Sequence, residues 1–413
     1  MAGPRISEAL GSLTCMRFLH TSDWHLGRIF YNLSLIEDQA WVLERLVRLA
    51  IDERVDALLI AGDVYDRAVP PTDAVALLDE VLSRLVIGAR IPVVMIAGNH
   101  DSADRLGFGS RIAESAGLMI RGTLGSLAPI LFSDAHGGVA VHPIPYAEPA
   151  YARAMFSEAQ DADVSGADSG AESGAFDHQA AMNRVIATAR AQRMPGQRNI
   201  LVGHAFVAGG AVSDSERPLS VGGSGMISTA TFDGFDYVAL GHLHRPQAVG
   251  GEHIQYAGSL LKYSFNEVDQ PKSVSIVDLD EDGRVQVKRV ALGARRDVRV
   301  VRGTLAELIG APDPAASRDD YLMAQLTDTA PLLDPLARLR AVYPNMMTLQ
   351  MVAIGQSGDA KMGAHINHRI RQPEELFKAF YRDVTGEALG QAEQDIFNEA
   401  VRALGGAGPD AGP

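Results

Sequence analysis

Five times in this chain a stretch of Val, Ile and Leu runs directly into an Asp, Asn or His, and that recurrence restricts the fold more than any other feature. The segments are Asp23-Trp24-His25, Gly62-Asp63-Val64-Tyr65-Asp66, Gly98-Asn99-His100-Asp101, Gly203-His204 and Gly241-His242-Leu243-His244. The runs before them are Arg17–Thr21, Ala57–Ala61, Pro92–Ala97, Asn199–Val202 and Tyr237–Leu240, and they read as buried strands. Amphipathic stretches lie between them: Glu37–Arg54, Thr72–Leu85 with Thr72 as the expected N-cap, and Gln179–Arg193. The alternation predicts an α/β fold with sheets covered by helices. Open α/β sheets gather ligands beyond the carboxyl ends of their strands. Residues spread over more than two hundred positions are therefore expected to meet at one rim.

The donor types say what would meet there. Two divalent ions need about seven protein ligands, and these segments supply two Asp, one Asn and four His, with His100 to spare. Asp23 and His25 sit two apart, so extended backbone turns both to one side, where they can share an ion. His242 and His244 have the same spacing, but the glycine before them lets the chain turn and send them to different ions. Asp63 is placed to bridge, Asn99 offers a carbonyl oxygen and His204 an imidazole. Nitrogen and oxygen donors without sulfur favour Mn, Fe or Zn over Mg or Ca. His100 is then available to stabilise or protonate a leaving alkoxide, with Asp66 holding its other ring nitrogen. A single Asp-x-His triplet arises about once by chance in a chain this long. Five such segments in order, each behind a strand, are hard to obtain from polar turns. His20, inside the first strand, reads as a packed histidine, and His136, His142, His178, His253, His365 and His368 have no ligand neighbourhood.

Bulk properties narrow the class. The 413 residues are 46% hydrophobic, enough for a large core and two domains or more. No apolar run reaches the roughly 18 residues of a membrane span, and Met1 to Cys15 lacks the pattern of an export signal. The lone Cys15 fits a reducing cytoplasm. A net charge of −14 argues against autonomous tight binding to nucleic acid, which needs Lys and Arg to neutralise phosphates. Residues 1–15 are expected to be a disordered extension, and Ser157 to Phe176, poor in anything to bury, a surface loop. Val274 to Val290 reads as a hairpin, and the first domain is expected to end near Ala291–Arg296.

The five segments resemble the calcineurin-like metallophosphoesterase family. The stretches Leu19-His20-Thr21-Ser22-Asp23-Trp24-His25-Leu26-Gly27, Ala61–Asp66, Ala97–Ser102 and Leu240–Arg245 are more similar still to its SbcD branch, the nuclease subunits of bacterial SbcCD complexes. Tyr256-Ala257-Gly258-Ser259 and Ser264-Phe265-Asn266-Glu267 share that likeness, which runs from about Met16 to Leu404 and weakens after Glu267. The resemblance implies a metallophosphoesterase β-sandwich flanked by helices (16–292), a small α+β capping domain (297–365), C-terminal helices (373–404) and a disordered tail (405–413). It implies one ion on Asp23, His25, Asp63 and His244, a second on Asp63, Asn99, His204 and His242, Mn2+ as the metal, and His100 as the catalytic histidine. It further implies double-strand exonuclease and single-strand or hairpin endonuclease activity in DNA repair, recombination and replication.

On pattern alone the tail could pack on its own protein or on a partner, and the resemblance implies the partner. Leu376, Phe377, Phe380 and Tyr381 form one apolar stripe, and Ile396, Phe397, Val401 and Leu404 another. In the resembling family such a segment docks on the coiled-coil base of an SbcC-type ATPase, within a heterotetramer holding two copies of the nuclease. Arg28, Arg67 and Arg245 lie beside motifs and are candidates for touching DNA. Two rival expectations use the same residues: a phosphatase or phosphodiesterase for small substrates, and an inactive scaffold on the phosphoesterase fold.

Overall fold

The computed structural model describes residues 15–125, 127–161, 176–216, 225–310 and 318–352, with 377, 389–391, 393–394 and 397 beyond them. The chain divides into two compact units, Met1–Val352 and Ala353–Pro413. In the second, the rings of Phe377 and Phe397 stack with centroids 4.2 Å apart. The rest of the expected helices at 373–404, the tail and residues 1–14 lie outside the described residues.

The first unit is built on two six-stranded sheets. In chain order their strands are β1 (Met16–Thr21), β2 (Ala57–Ala61), β3 (Val93–Ile96), β4 (Leu118–Arg121), β5 (Ile130–Asp134) and β6 (Gly137–Ile144), then β7 (Arg198–His204), β8 (Tyr237–Gly241), β9 (Gln247–Ala248), β10 (Ile254–Tyr256), β11 (Val274–Leu279) and β12 (Val285–Val290). One sheet has the order β12-β11-β1-β2-β3-β4, the other β9-β10-β8-β7-β6-β5. Strands β1 to β4 run parallel, as do β6, β7, β8 and β10, while β11 and β12 form the expected antiparallel hairpin.

Alternation within each strand sorts the side chains into layers. Phe18, Leu59, Val94, Ile96, Ile200, Val202 and Tyr237 fill the space between the two sheets. Their neighbours Leu19, Leu58, Ile60 and Met95 turn the other way, onto Val42, Leu43, Leu46 and Val47 of helix α1 (Ile36–Asp52) and Leu78 of α2 (Thr72–Ser83). On the far sheet Leu201, Val238 and Leu240 meet Met182, Val185 and Ile186 of α4 (His178–Ala191), which follows α3 (Pro149–Asp161). The architecture is a helix-flanked β-sandwich. Each fully buried Val or Leu in it stabilises the fold by about 1.5–3 kcal/mol, so the central strands hold the rim rigidly.

Two local expectations need correcting. Thr72 is the first helical residue of α2, and Pro71, in extended conformation with no side-chain bond to offer, occupies the cap position. The loop expected from Ser157 begins later, because α3 continues to Asp161; residues 162–175 lie outside the described residues.

A three-stranded parallel sheet follows the hairpin: β13 (Val298–Gly303), β14 (Tyr321–Leu326) and β15 (Met346–Met351), with helices α5 (Leu305–Gly310) and α6 (Pro335–Arg340) between them. It has its own core around Leu322, Leu326 and Leu339. Val298, Tyr321, Met323 and Met347 also join the core beneath α1, so this sheet belongs to the same compact unit as the sandwich.

Candidate metal centre

All five motifs leave the same rim of the sandwich, and the backbone there is strained. Among the described residues nine non-glycine residues have positive φ, and four are expected ligands: Asp23 (52°), His25 (45°), Asp63 (51°) and His242 (106°). Left-handed backbone costs about 1–3 kcal/mol per residue and persists only where surrounding bonds enforce it. Here the loops after β1 and β2 are laced together by Asp23 N–H to Gly62 O (3.0 Å), His25 N–H to Asp63 O (3.0 Å) and Leu26 N–H to Val64 O (2.9 Å). The glycines before the ligands are needed for space. A Cβ on Gly98 would stand 2.1 Å from Asp63 Oδ1, and one on Gly241 2.0 Å from the Ala61 carbonyl oxygen.

The side chains converge in two groups joined by Asp63. In one, Asp23, His25 and His244 bring ligand atoms within 4.8 Å of each other; His25 Nε2 and His244 Nε2 face one another at 3.1 Å. In the other, Asn99 Oδ1 lies 3.0 Å from His204 Nε2 and 3.2 Å from His242 Nδ1. Asp63 Oδ2 sits 3.7 Å from His25 Nε2 and 3.5 Å from His204 Nε2, between the groups. His242 and His244 thus diverge, but the chain turns at His242 itself (φ 106°) and not at Gly241, which stays in the strand. All seven expected ligands are brought together, and His100 Nε2 stands beside them, 3.9 Å from Asp63 Oδ2.

Burial sets the electrostatics. It depresses the pKa of His242 to about 3 and pushes that of His25 well down, so both rings are neutral donors. Burial lifts Asp23 to about 6. Burial also opposes charge on Asp63 and His204, but each outweighs it for the other: Asp63 lies well below the usual carboxylate range, and His204 rises to about 9. Carboxylates sequestered at this depth call for positive charge, which a cation bound there would supply. The donor set fits divalent ions on that ground and on chemistry, since the donors are nitrogen and oxygen atoms only.

One role changes hands. The Asp66 carboxylate does not hold His100; its backbone carbonyl does, accepting from Nδ1–H at 2.9 Å. The carboxylate pairs instead with Arg28 at 2.8 Å, with Oδ1 3.7 Å from His25 Nδ1. Arg28 is therefore engaged, whereas Arg67 and Arg245 are exposed. His20 is packed, between Tyr237 Oη (2.9 Å) and the Leu240 carbonyl (3.2 Å). His142 and His178 bond Asn199 and Tyr146; His365 and His368 lie outside the described residues.

Sequence reasoning gave no role to several supports. Asp101 accepts backbone N–H bonds from Val64 (3.1 Å), Tyr65 (2.9 Å) and Gly98 (2.9 Å), tying the second motif to the third. Ser22 Oγ donates to Asp23 at 2.6 Å. Tyr263 Oη donates to the Trp24 carbonyl at 2.5 Å, and Gln39 to those of Trp24 and His25 at 3.1 and 2.7 Å. The presence of Asp101 and Ser22 within their motif stretches was the available signal.

A calcineurin-like phosphoesterase family model matches residues 16–246. The SbcD subunit of the SbcCD nuclease from Staphylococcus epidermidis is 32% identical over 381 residues, 92% of this chain and 96% of that one. The chain belongs to the SbcD family. A second member, the corresponding SbcCD nuclease subunit of Staphylococcus saprophyticus, is 34% identical over 393 residues, 94% of this chain and 98% of that one. Residues 294–385 match a Type 5 capsule protein repressor C-terminal domain. Among solved structures, TT1561 of Thermus thermophilus aligns with a TM-score of 0.38 and 15% identity over 68% of this chain and 100% of that one, a likeness too slight to argue from. The family is one of metallophosphoesterases, which use divalent ions.

Proposed function

We propose that this SbcD-family chain is the nuclease subunit of an SbcCD-type complex, hydrolysing DNA phosphodiesters at a pair of Mn2+ ions. The observation that carries the reading is the convergence of seven side chains with nitrogen or oxygen donors, in two groups joined by Asp63, with a further imidazole, His100, beside them. Asp23, His25, Asp63 and His244 would hold one ion, and Asp63, Asn99, His204 and His242 the other. Bound there, the ions would supply a water of lowered pKa and a clamp on the phosphate oxygens.

The chain's own residues do the rest. A carbonyl only accepts, so the Asp66 carbonyl keeps a proton on His100 Nδ1 in every state of the ring. Proton exchange is thereby confined to Nε2, the nitrogen facing Asp63, which would serve a leaving oxygen bound beside it. Arg28 holds the Asp66 carboxylate near His25 and limits how far that loop can move.

Partner and setting follow the family. An SbcC-type coiled-coil ATPase would supply the positive surface that a chain of net charge −14 lacks. The apolar stripes of residues 373–404 would dock on it, with two copies of the chain per complex, in the cytoplasm. Among the described residues no helix is long and apolar enough to cross a membrane. A small-substrate phosphoesterase would use the same ions but has no need of the region at 294–385. The test pairs Mn-loaded protein and its ATPase with linear, hairpin and circular single-stranded DNA, beside a chromogenic phosphodiester. Metal-dependent DNA cleavage is expected. Turnover of the chromogenic ester alone would overturn the reading.

A further inference from the structure

His244 is held unlike the other imidazoles of the centre. His204 directs its Nδ1–H to the Ala61 carbonyl at 2.9 Å, a bond to the backbone of a strand in the other sheet. His244 rests on side chains from two loops outside the five motifs. Its Nδ1 lies 2.6 Å from Ser215 Oγ, and that hydroxyl donates to Glu267 Oε1. The other oxygen of Glu267 takes Lys272 Nζ at 2.6 Å. Lys272 and Glu216, the residue after Ser215, grip the His244 backbone: its N–H donates to Glu216 at 2.7 Å, and its carbonyl accepts from Lys272 at 2.8 Å. Glu267 is fully buried and the Lys272 side chain is 9% exposed.

Counting protons fixes the direction of this chain. A carboxylate paired with an ammonium only accepts, so Ser215 commits its single O–H to Glu267. Only lone pairs of the hydroxyl then face His244, whose Nδ1 must carry the proton and donate it. The lone pair of the ring is left on Nε2, the atom turned toward His25 Nε2 at 3.1 Å. Lys272 completes the device by keeping Glu267 an anion and bracing the backbone.

We infer that Ser215, Glu267 and Lys272 form a positioning relay that fixes the Nε2-ligating tautomer of His244. The relay sets the affinity of the ion shared by Asp23, His25 and His244, separately from that of its neighbour. The inference rests on the two-ion reading. The ion on Asn99, His204 and His242 is anchored through the Ala61 carbonyl instead, so one ion can be weakened while the other is kept.

Titration of the full chain with Mn2+, followed by calorimetry and low-temperature electron paramagnetic resonance, tests it. Wild type is expected to bind two ions and give the spectrum of a coupled pair. Ser215 is only part-buried, so Ser215→Ala removes the relay's hydroxyl with little risk to the fold. It should weaken one ion by about 10–100-fold, leaving an isolated-ion spectrum at concentrations that saturate wild type. Ser215→Thr keeps the hydroxyl and should restore the pair. Glu267→Gln combined with Lys272→Met removes both buried charges together and should reproduce the loss. Two ions of wild-type affinity in Ser215→Ala, or equal weakening of both, would overturn the relay. Failure of wild type itself to bind two ions would sink the two-ion reading instead.

Discussion

His100 brings the proposed chemistry down to one nitrogen. It ligates neither ion in the scheme above, and its Nδ1 is committed to the Asp66 carbonyl, so its contribution is separable from metal binding. His100→Ala is expected to lower turnover by about 10²–10⁴-fold while calorimetry still counts two ions; loss of an ion would make it a ligand instead. Gly98 makes the complementary case. Its Cβ would meet Asp63 Oδ1 at 2.1 Å and Asp63 N at 2.3 Å, and the backbone cannot yield. Gly98→Ala should displace the bridging carboxylate and abolish binding of both ions in the same titration. The converging residues were legible because Asp, Asn and His after buried strands have few other uses. The supports were not. Ser215, Glu267 and Lys272 are common loop residues whose meaning comes from each other, and Ser215 and Glu267 lie 52 positions apart. Asp66 was placed correctly beside His100, but sequence does not say whether a residue acts through its side chain or its carbonyl.

Among the elements, the strands that aim the motifs carry the argument. Five were readable from sequence because strands buried on both faces are continuous apolar runs, and the observed bounds differ from the expected ones by two residues at most. Three others were not. Gln247–Ala248 and Ile254–Tyr256 are too short to show a period, and Gly137–Ile144 carries His142 and Pro143. Proline inside a strand argues for an edge, yet Pro143 pairs with Val202 within the sheet. What joins neighbouring strand ends is Asp101, bonded to three backbone N–H groups from the β2 and β3 loops. Asp101→Ala leaves those part-buried groups unpaired. The expected cost is on the order of 3 kcal/mol, read as a lower midpoint in urea unfolding; an unchanged midpoint would show that the loops hold without the clamp.

For the whole molecule, charge and metal set the behaviour. With −14 net, the chain alone should bind DNA weakly and with a shallow dependence on salt. Adding the ATPase partner should raise affinity and steepen that slope, which a salt titration by fluorescence anisotropy would read; tight binding by the isolated chain would contradict the division of labour. Ions held by residues from both sheets also bind only the folded state. At a hundredfold excess over Kd each should stabilise it by about 2.7 kcal/mol. Chelation should therefore lower the melting temperature, and restored Mn2+ should recover it. The central claim is geometric: seven side chains from five strand ends enclose two neighbouring cations. Anomalous diffraction from Mn-loaded crystals tests it most directly. Two peaks are predicted about 3.5–4 Å apart, one beside Asp23, His25 and His244 and the other beside Asn99, His204 and His242, with Asp63 between. A single peak, or peaks away from Asp63, would contradict it.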